Sequence, residues 1–310
     1  MTIFLCLVAA LALLTLVGAY ACYRLAFSVP KERDLFKMPD SAQYLPYNEQ
    51  TTAMLRRALA TPFEEVWITS RDGLRLYGRY YAGREGAPVQ LMFHGYRSAA
   101  ERDFCGGLQE AIDRGFNVLL VDQRGHGKSE GKCLTMGVME RYDCLAWAEY
   151  AAQRFGKERP LLLYGMSMGA ATVLMAAGLP LPGSVAGIVA DCGYTSPAAI
   201  IKSVLIKRGY PLFPTYLLTR LGGRIFGGFD LESASAPEAM ERCKIDVLFI
   251  HGDDDHFVPC AMGRENYDRC AAAHKRLLIV PTAGHGLSYM VNYDAYMTAV
   301  DEFLDAVLKK

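Results

Sequence analysis

Six short apolar runs set the tightest limit on the fold of this chain. They are VQLMF (89–93), FNVLLVD (116–122), PLLLYG (160–165), SVAGIVAD (184–191), IDVLFIHG (245–252) and KRLLIV (275–280). Their apolar residues fall on consecutive positions rather than alternate ones. A strand of that kind is buried on both faces, as inside a parallel sheet covered by helices. Helical stretches lie between most of them, at about 101–114, 137–155, 168–178, 260–273 and 294–308. Two further segments, EEVWITS (64–70) and LRLYGRYYA (74–82), flank Arg71-Asp72-Gly73 and read as a hairpin. The pattern predicts an α/β fold built on a mostly parallel, eight-stranded sheet flanked by helices.

The rhythm breaks once. Between Asp191 and Ile245 a long interval carries Pro197, Pro211, Pro214 and Pro237 among many apolar residues. A small helical cap is expected there, at about 193–240, over the C-terminal edge of the sheet. Its Tyr210, Phe213, Tyr216, Leu217, Phe226 and Phe229 are expected mostly to pack the cap onto the core, with some lining an acyl pocket.

The N-terminus differs from the rest. Residues 3–23, IFLCLVAALALLTLVGAYACY, hold no charge. At a helical rise of about 1.5 Å per residue they extend roughly 30 Å, the thickness of a bilayer core. A secretory signal would begin with Lys or Arg, and only Met1-Thr2 precede this run. Residues 1–23 are therefore expected to be an uncleaved single-pass transmembrane anchor. A polar connector (24–61) follows, with a helix near 48–60, and then the main domain (62–310). Arg24, Lys31, Arg33 and Lys37, diluted by Glu32 and Asp34, place that domain on the cytoplasmic side of the membrane by the positive-inside bias. The nine scattered cysteines form no CxxC and are expected to be free thiols, in agreement with that side. Lys+Arg and Asp+Glu balance at 33 each, so nothing points to a nucleic-acid partner.

Chemistry concentrates at the strand ends. Gly165-Met166-Ser167-Met168-Gly169 stands where one apolar run meets a helix. There a G-x-S-x-G makes a sharp turn that lifts the serine hydroxyl above the sheet at a helix N-terminus. The Met168 N–H is then a candidate oxyanion donor. A nucleophilic serine needs a base, and the base an orienting acid. TAGHGLS (282–288) offers His285 after the last strand, and HGDDDHFVP (251–259) offers Asp255 after the one before. Asp253 and Asp254 share that loop, and Asp191 is a rival at the end of another strand. A metal site on the same acidic stretch lacks a second cluster with ligand spacing. MFHGYRS (92–98) contributes a glycine that lets backbone approach a ligand, the Tyr96 N–H as second oxyanion donor, and His94 to orient the loop. DQRGHGKSEG (122–131) reads as an architectural turn beneath the site.

In this order, the motifs resemble those of the α/β-hydrolase superfamily over about residues 62–308. They are HG(Y), D-x-R-G-H-G-x-S, G-x-S-x-G, D-x-x-V-P and a late G-H. Within it the chain is similar to bacterial membrane-anchored hydrolases with one N-terminal span. The resemblance implies Ser167 as nucleophile, Asp255 as acid and His285 as base, with neither cofactor nor metal. It implies a serine hydrolase acting on a small-molecule acyl ester. Amide or peptide hydrolysis stays open beside it, as does a catalytically inactive membrane-tethered binding module.

Overall fold

The computed structural model describes residues 1–29 and 34–309. Lys31, Glu32 and Arg33, which enter the reading of membrane orientation, lie outside the described residues.

The apolar runs form one eight-stranded sheet. Its strands are β1 (Glu64–Thr69), β2 (Arg75–Tyr81), β3 (Val89–Phe93), β4 (Asn117–Val121), β5 (Leu161–Met166), β6 (Val185–Asp191), β7 (Asp246–Gly252) and β8 (Lys275–Val280). They lie in the order β1-β2-β4-β3-β5-β6-β7-β8. β2 is antiparallel to both its neighbours and every other pairing is parallel. All residues of β3, β4 and β7 are buried, as their uninterrupted hydrophobicity demands, whereas β8 at the edge is half-exposed. The hairpin between β1 and β2 turns on Ser70, whose Oγ accepts from Leu74 N and donates to Asp72 Oδ1, with Gly73 at φ +87°.

Two apolar layers cover the sheet. One face packs against the helices Glu140–Phe155 and Met168–Ala176, with Trp147 and Val173 in the layer. The other packs against Asn48–Ala60, Cys105–Asp113 and Tyr293–Leu308 through Leu55, Leu108 and Val300. The helix expected to run to 273 stops at Arg269. There Lys275 Nζ donates to the carbonyls of Tyr267 and Cys270 at 2.8 Å each, capping the helix end with a cation.

The interval after β6 holds the helices Pro197–Lys207, Leu212–Gly222 and Ala236–Met240. The N-terminal helix runs from Thr2 to Phe27, past the expected boundary at 23, because its last turns are packed. Ala19, Tyr23 and Phe27 are buried there. Gly222 of the insertion sits so close that a Cβ would lie 2.3 Å from the Ala19 carbonyl oxygen. Small residues at such a crossing let the two backbones meet, as in helix pairs packed within a membrane.

Candidate active site

The serine turn is held by contacts no side chain could share. A Cβ on Gly165 would lie 2.3 Å from Gly169 O, and one on Gly169 only 1.7 Å from Phe93 O. Ser167 between them has φ 55° and ψ −114°, a strained conformation for a residue with a side chain. Its N–H donates to Asp191 O at 2.8 Å, which ties the turn to the end of β6. The helix Met168–Ala176 starts at the next residue, so its N-terminal dipole points at the serine.

His285 and Asp255 come to this turn from separate loops. His285 Nε2 lies 2.8 Å from Ser167 Oγ, and its Nδ1 lies 2.7 Å from Asp255 Oδ2. With a carboxylate at Nδ1, the proton sits on Nδ1 and Nε2 is the acceptor facing the hydroxyl. The Asp255 side chain is fully buried. Burial opposes its ionisation, but hydrogen bonds from His251 and His285 prevail and hold the carboxyl well below the usual carboxylate range. Asp255 Oδ1 also accepts from the N–H groups of Phe257 and Val258, both at 2.8 Å. Asp253 and Asp254 are engaged elsewhere, with Thr282 N and with His256 and Gln43. Asp191 is fully buried, and that burial pushes its carboxyl up to about 6, against the pull of His251 and the Tyr296 hydroxyl. The geometry therefore separates candidates that spacing left open.

The turn after β3 approaches from the other side. A Cβ on Gly95 would lie 3.3 Å from Ser167 Cβ and 3.6 Å from its Oγ, so this turn runs beside the hydroxyl, and Tyr96 lines the same cavity. Gly95 N donates to Asp103 Oδ2 at 2.7 Å, and Arg97 N donates to His126 Nε2 at 3.0 Å. His94 accepts from Gln123 N at Nε2 and donates from Nδ1 to Gly95 O, fixing this turn from beneath. The 122–131 segment is cross-braced by Arg124, which joins Asp143 at 2.6 and 2.7 Å to Asp72 at 2.9 and 3.0 Å. The same turn also holds the N-terminal helix. Tyr96 Oη donates to Ala26 O at 2.7 Å, and Arg97 Nη2 donates to Leu25 O at 2.9 Å and Ser28 Oγ at 3.0 Å.

A cavity of about 770 Å³ opens over Ser167 and His285. Its walls include Met38, Tyr44, Tyr47 and Met54 from the connector, and Phe104, Met166, Leu287 and Tyr289 from the main domain. No residue of 193–240 lines it, which corrects the expectation that part of the insertion forms the acyl pocket. The insertion packs on the N-terminal helix, with Gly222, Phe226 and Phe229 against Ala19, Tyr23 and Phe27. The connector closes the site instead. Tyr44 Oη donates to His285 O at 2.7 Å, and Gln43 Nε2 donates to Asp254 Oδ2 at 2.7 Å. Burial pushes the Tyr44 hydroxyl up, so it stays a donor at neutral pH. Sequence reasoning missed these residues and the second histidine on Asp255. The aromatic pair in QYLPY (43–47) was the one available signal.

One group of metal-ligating type occurs among the described residues: Cys192, Asp255 and His285, whose ligand atoms lie within 4.8 Å of one another. Two of these are hydrogen-bonded to each other, and burial pushes the Cys192 thiol well up, away from the thiolate a metal requires. The arrangement fits proton transfer better than metal binding.

Comparison with known proteins agrees with this architecture. A family model described as alpha/beta hydrolase fold matches residues 88–217. The chain is 29% identical over 199 residues to the uncharacterized protein YqkD of Bacillus subtilis, covering 63% of this chain and 64% of that relative. It is 25% identical over 250 residues to the uncharacterized protein YfhR of Escherichia coli K12, covering 79% and 81%. Among solved structures, the Pyrococcus furiosus esterase Pf2001 superposes with a TM-score of 0.63 at 22% identity, over 81% of this chain and 95% of that one.

Proposed function

We propose that this chain, which has the alpha/beta hydrolase fold, is a member of the α/β-hydrolase superfamily that cleaves carboxylic esters through an acyl-enzyme on Ser167. The observation that carries this reading is the unbroken hydrogen-bond path from Ser167 Oγ through His285 to the buried Asp255, at 2.8 and 2.7 Å.

In the proposed course, His285 Nε2 takes the hydroxyl proton as Ser167 attacks the acyl carbon. Asp255, kept ionised by its two histidines and two N–H groups, stabilises the imidazolium that forms. The oxyanion is received by the N–H groups of Met168 and Tyr96; losing one such donor typically costs about 2.7–4 kcal/mol of transition-state stabilisation. The alcohol departs with the proton from His285 Nε2. Water then attacks the acyl-enzyme, giving its proton to the same nitrogen; as the acyl–Oγ bond breaks, His285 returns that proton to Ser167 Oγ and the acid leaves. The largely apolar cavity favours an acyl chain of some length over a charged or peptide-like group. The helix Thr2–Phe27, read as an anchor, favours esters that partition into a membrane. Arg24 and Lys37 support a cytoplasmic main domain.

The test is labelling of the full chain with a fluorophosphonate, read by intact mass and peptide mapping, followed by esters of graded acyl length. The expected result is one adduct on Ser167, lost in His285→Ala, and turnover that rises with chain length. Labelling elsewhere, or none in detergent and lipid alike, would return the inactive binding module to first place. A flat chain-length profile would remove the membrane-ester assignment.

A further inference from the structure

We propose that the insertion between β6 and β7 is a second membrane element, whose partner is the leaflet that the N-terminal helix enters. The inference rests on reading Thr2–Phe27 as a span. It starts from the register of the two elements. Leu218 packs on Gly18, Gly222 on Ala19 and Tyr23, Phe226 on Tyr20 and Tyr23, and Phe229 on Phe27. Both segments therefore run in the same direction. From Phe27 back to Gly18 the helix descends roughly 13 Å at about 1.5 Å per residue. Residues 214–217 precede Leu218 on the same helix and so continue further toward the N-terminal end of Thr2–Phe27, and the chain kinks at Phe213 just before them.

Their exposure fits that depth. Phe213 is 76% exposed and Leu217 51%, with Ile206 at 61% and Tyr210 at 54% on the approach. The N-terminal helix, which packs along Leu212–Gly222, is itself exposed at Leu11 and Leu14. An apolar surface of this kind in contact with water would be a liability; set against lipid it is an interface. Charge agrees. Lys202, Arg220 and Arg224 pair with Glu232 and Asp230 within the insertion, which leaves the exposed Lys207 and Arg208, beside Tyr210, to face an anionic leaflet.

The placement also joins the membrane to the site. Lys207 Nζ donates to the His256 carbonyl, and His256 and Phe257 line the cavity over Ser167. An insertion seated in the leaflet brings that side of the cavity to the lipid surface, where an acyl ester can enter sideways without crossing water.

The experiment uses the full chain in vesicles of phosphatidylcholine and phosphatidylglycerol, with and without brominated acyl chains. Leu11→Trp reports the N-terminal helix and Phe213→Trp the insertion, each read against the unsubstituted protein, whose Trp67 and Trp147 give the background. The expected result is at least twofold quenching of the added emission at both positions. Quenching at 11 without quenching at 213 overturns the proposal while leaving the anchor. Quenching at neither overturns both. Blue-shifted but unquenched emission at 213 that depends on protein concentration would assign this face to a second copy of the chain. Phe213→Asp combined with Leu217→Asp should slow turnover of a vesicle-held long-chain ester about tenfold and leave a soluble short-chain ester unchanged. Equal effects on the two esters would remove the link between insertion and substrate entry.

Discussion

Residues 38–54 and residues 193–240 are both Pro-punctuated, aromatic-bearing segments outside the sheet, yet only the first lines the cavity over Ser167. The connector reaches the site by two polar contacts, Tyr44 to the His285 carbonyl and Gln43 to Asp254. The insertion carries the greater apolar content, and part of its apolar surface packs on the N-terminal helix, with Gly222 against Ala19. Hydrophobic content states that a segment must be covered. It does not state by what. A pair of well-placed donors on a polar stretch decided which segment closes the site.

The strand ends at the roots of these two segments differ in the same sense. Asp191 opens the insertion, while Asp255 sits on the loop that the connector clasps. Both are buried carboxyls, one ending β6 and the other on the loop after the adjacent β7, and only Asp255 is bonded to His285. Asp255→Asn is expected to lower kcat by about 10⁴-fold, since the amide cannot hold the imidazole in its working tautomer. Asp191→Asn should leave steady-state turnover close to that of the unsubstituted enzyme. The reverse ranking would transfer the orienting role to Asp191 and undo the contrast.

Stability separates the pair next. Burial raises the folded pKa of Asp191 from an ordinary 3.8 to about 6. Between those values the unfolded chain ionises first, so stability falls as pH rises from about 4 to 6, by about 3 kcal/mol in all. Asp255 acts in the opposite sense. Its folded pKa is depressed, so its contribution is complete above about pH 4 and is lost on further acidification. Thermal or denaturant midpoints across pH 4–7 should flatten in Asp191→Asn, and an unchanged slope would dissociate that titration from stability.

Bulk in the two segments sharpens the contrast further. Met54→Trp fills the connector wall and should cut turnover of long-chain esters by about 10- to 200-fold, with acetyl esters spared. Leu217→Trp in the insertion should leave the chain-length profile of detergent-dispersed substrates as it was. A shift from Leu217 and none from Met54 would mean the wrong wall has been identified. The smallest effect is expected from Tyr44→Phe. Losing a single hydrogen bond of about 0.5–1.5 kcal/mol should lower kcat severalfold with little change in melting temperature. A fall confined to melting temperature would make Tyr44 a structural tie only.

Much of this molecule was legible before any coordinates. The unbroken apolar runs placed six of the eight strands, because a strand buried on both faces has little room for polar residues, and the hairpin signal around Asp72-Gly73 placed the other two. The serine turn was readable for a related reason: Gly165 and Gly169 stand where a Cβ would strike backbone, and few sequences tolerate two such positions around a serine. Ser167, Asp255 and His285 were named from motif and chain order, and the structure brings them within hydrogen-bond distance. The roles of Tyr44 and Gln43 had only the aromatic pair of QYLPY (43–47) to announce them, and such a pair on a connector does not distinguish site from surface. The destination of the insertion was not readable either.

The sequence by itself determined what the backbone must do locally: which runs are strands, where the chain turns too tightly for a side chain, and which helix is long and apolar enough to cross a membrane. Those properties follow from near neighbours, and near neighbours are written in order along the chain. The tertiary structure alone decided the pairings between distant surfaces: connector over cavity, insertion against the N-terminal helix, Asp255 rather than Asp191 on His285. Such contacts depend on shape and on donors meeting acceptors across the fold, and residues so far apart in sequence share no period that could announce them.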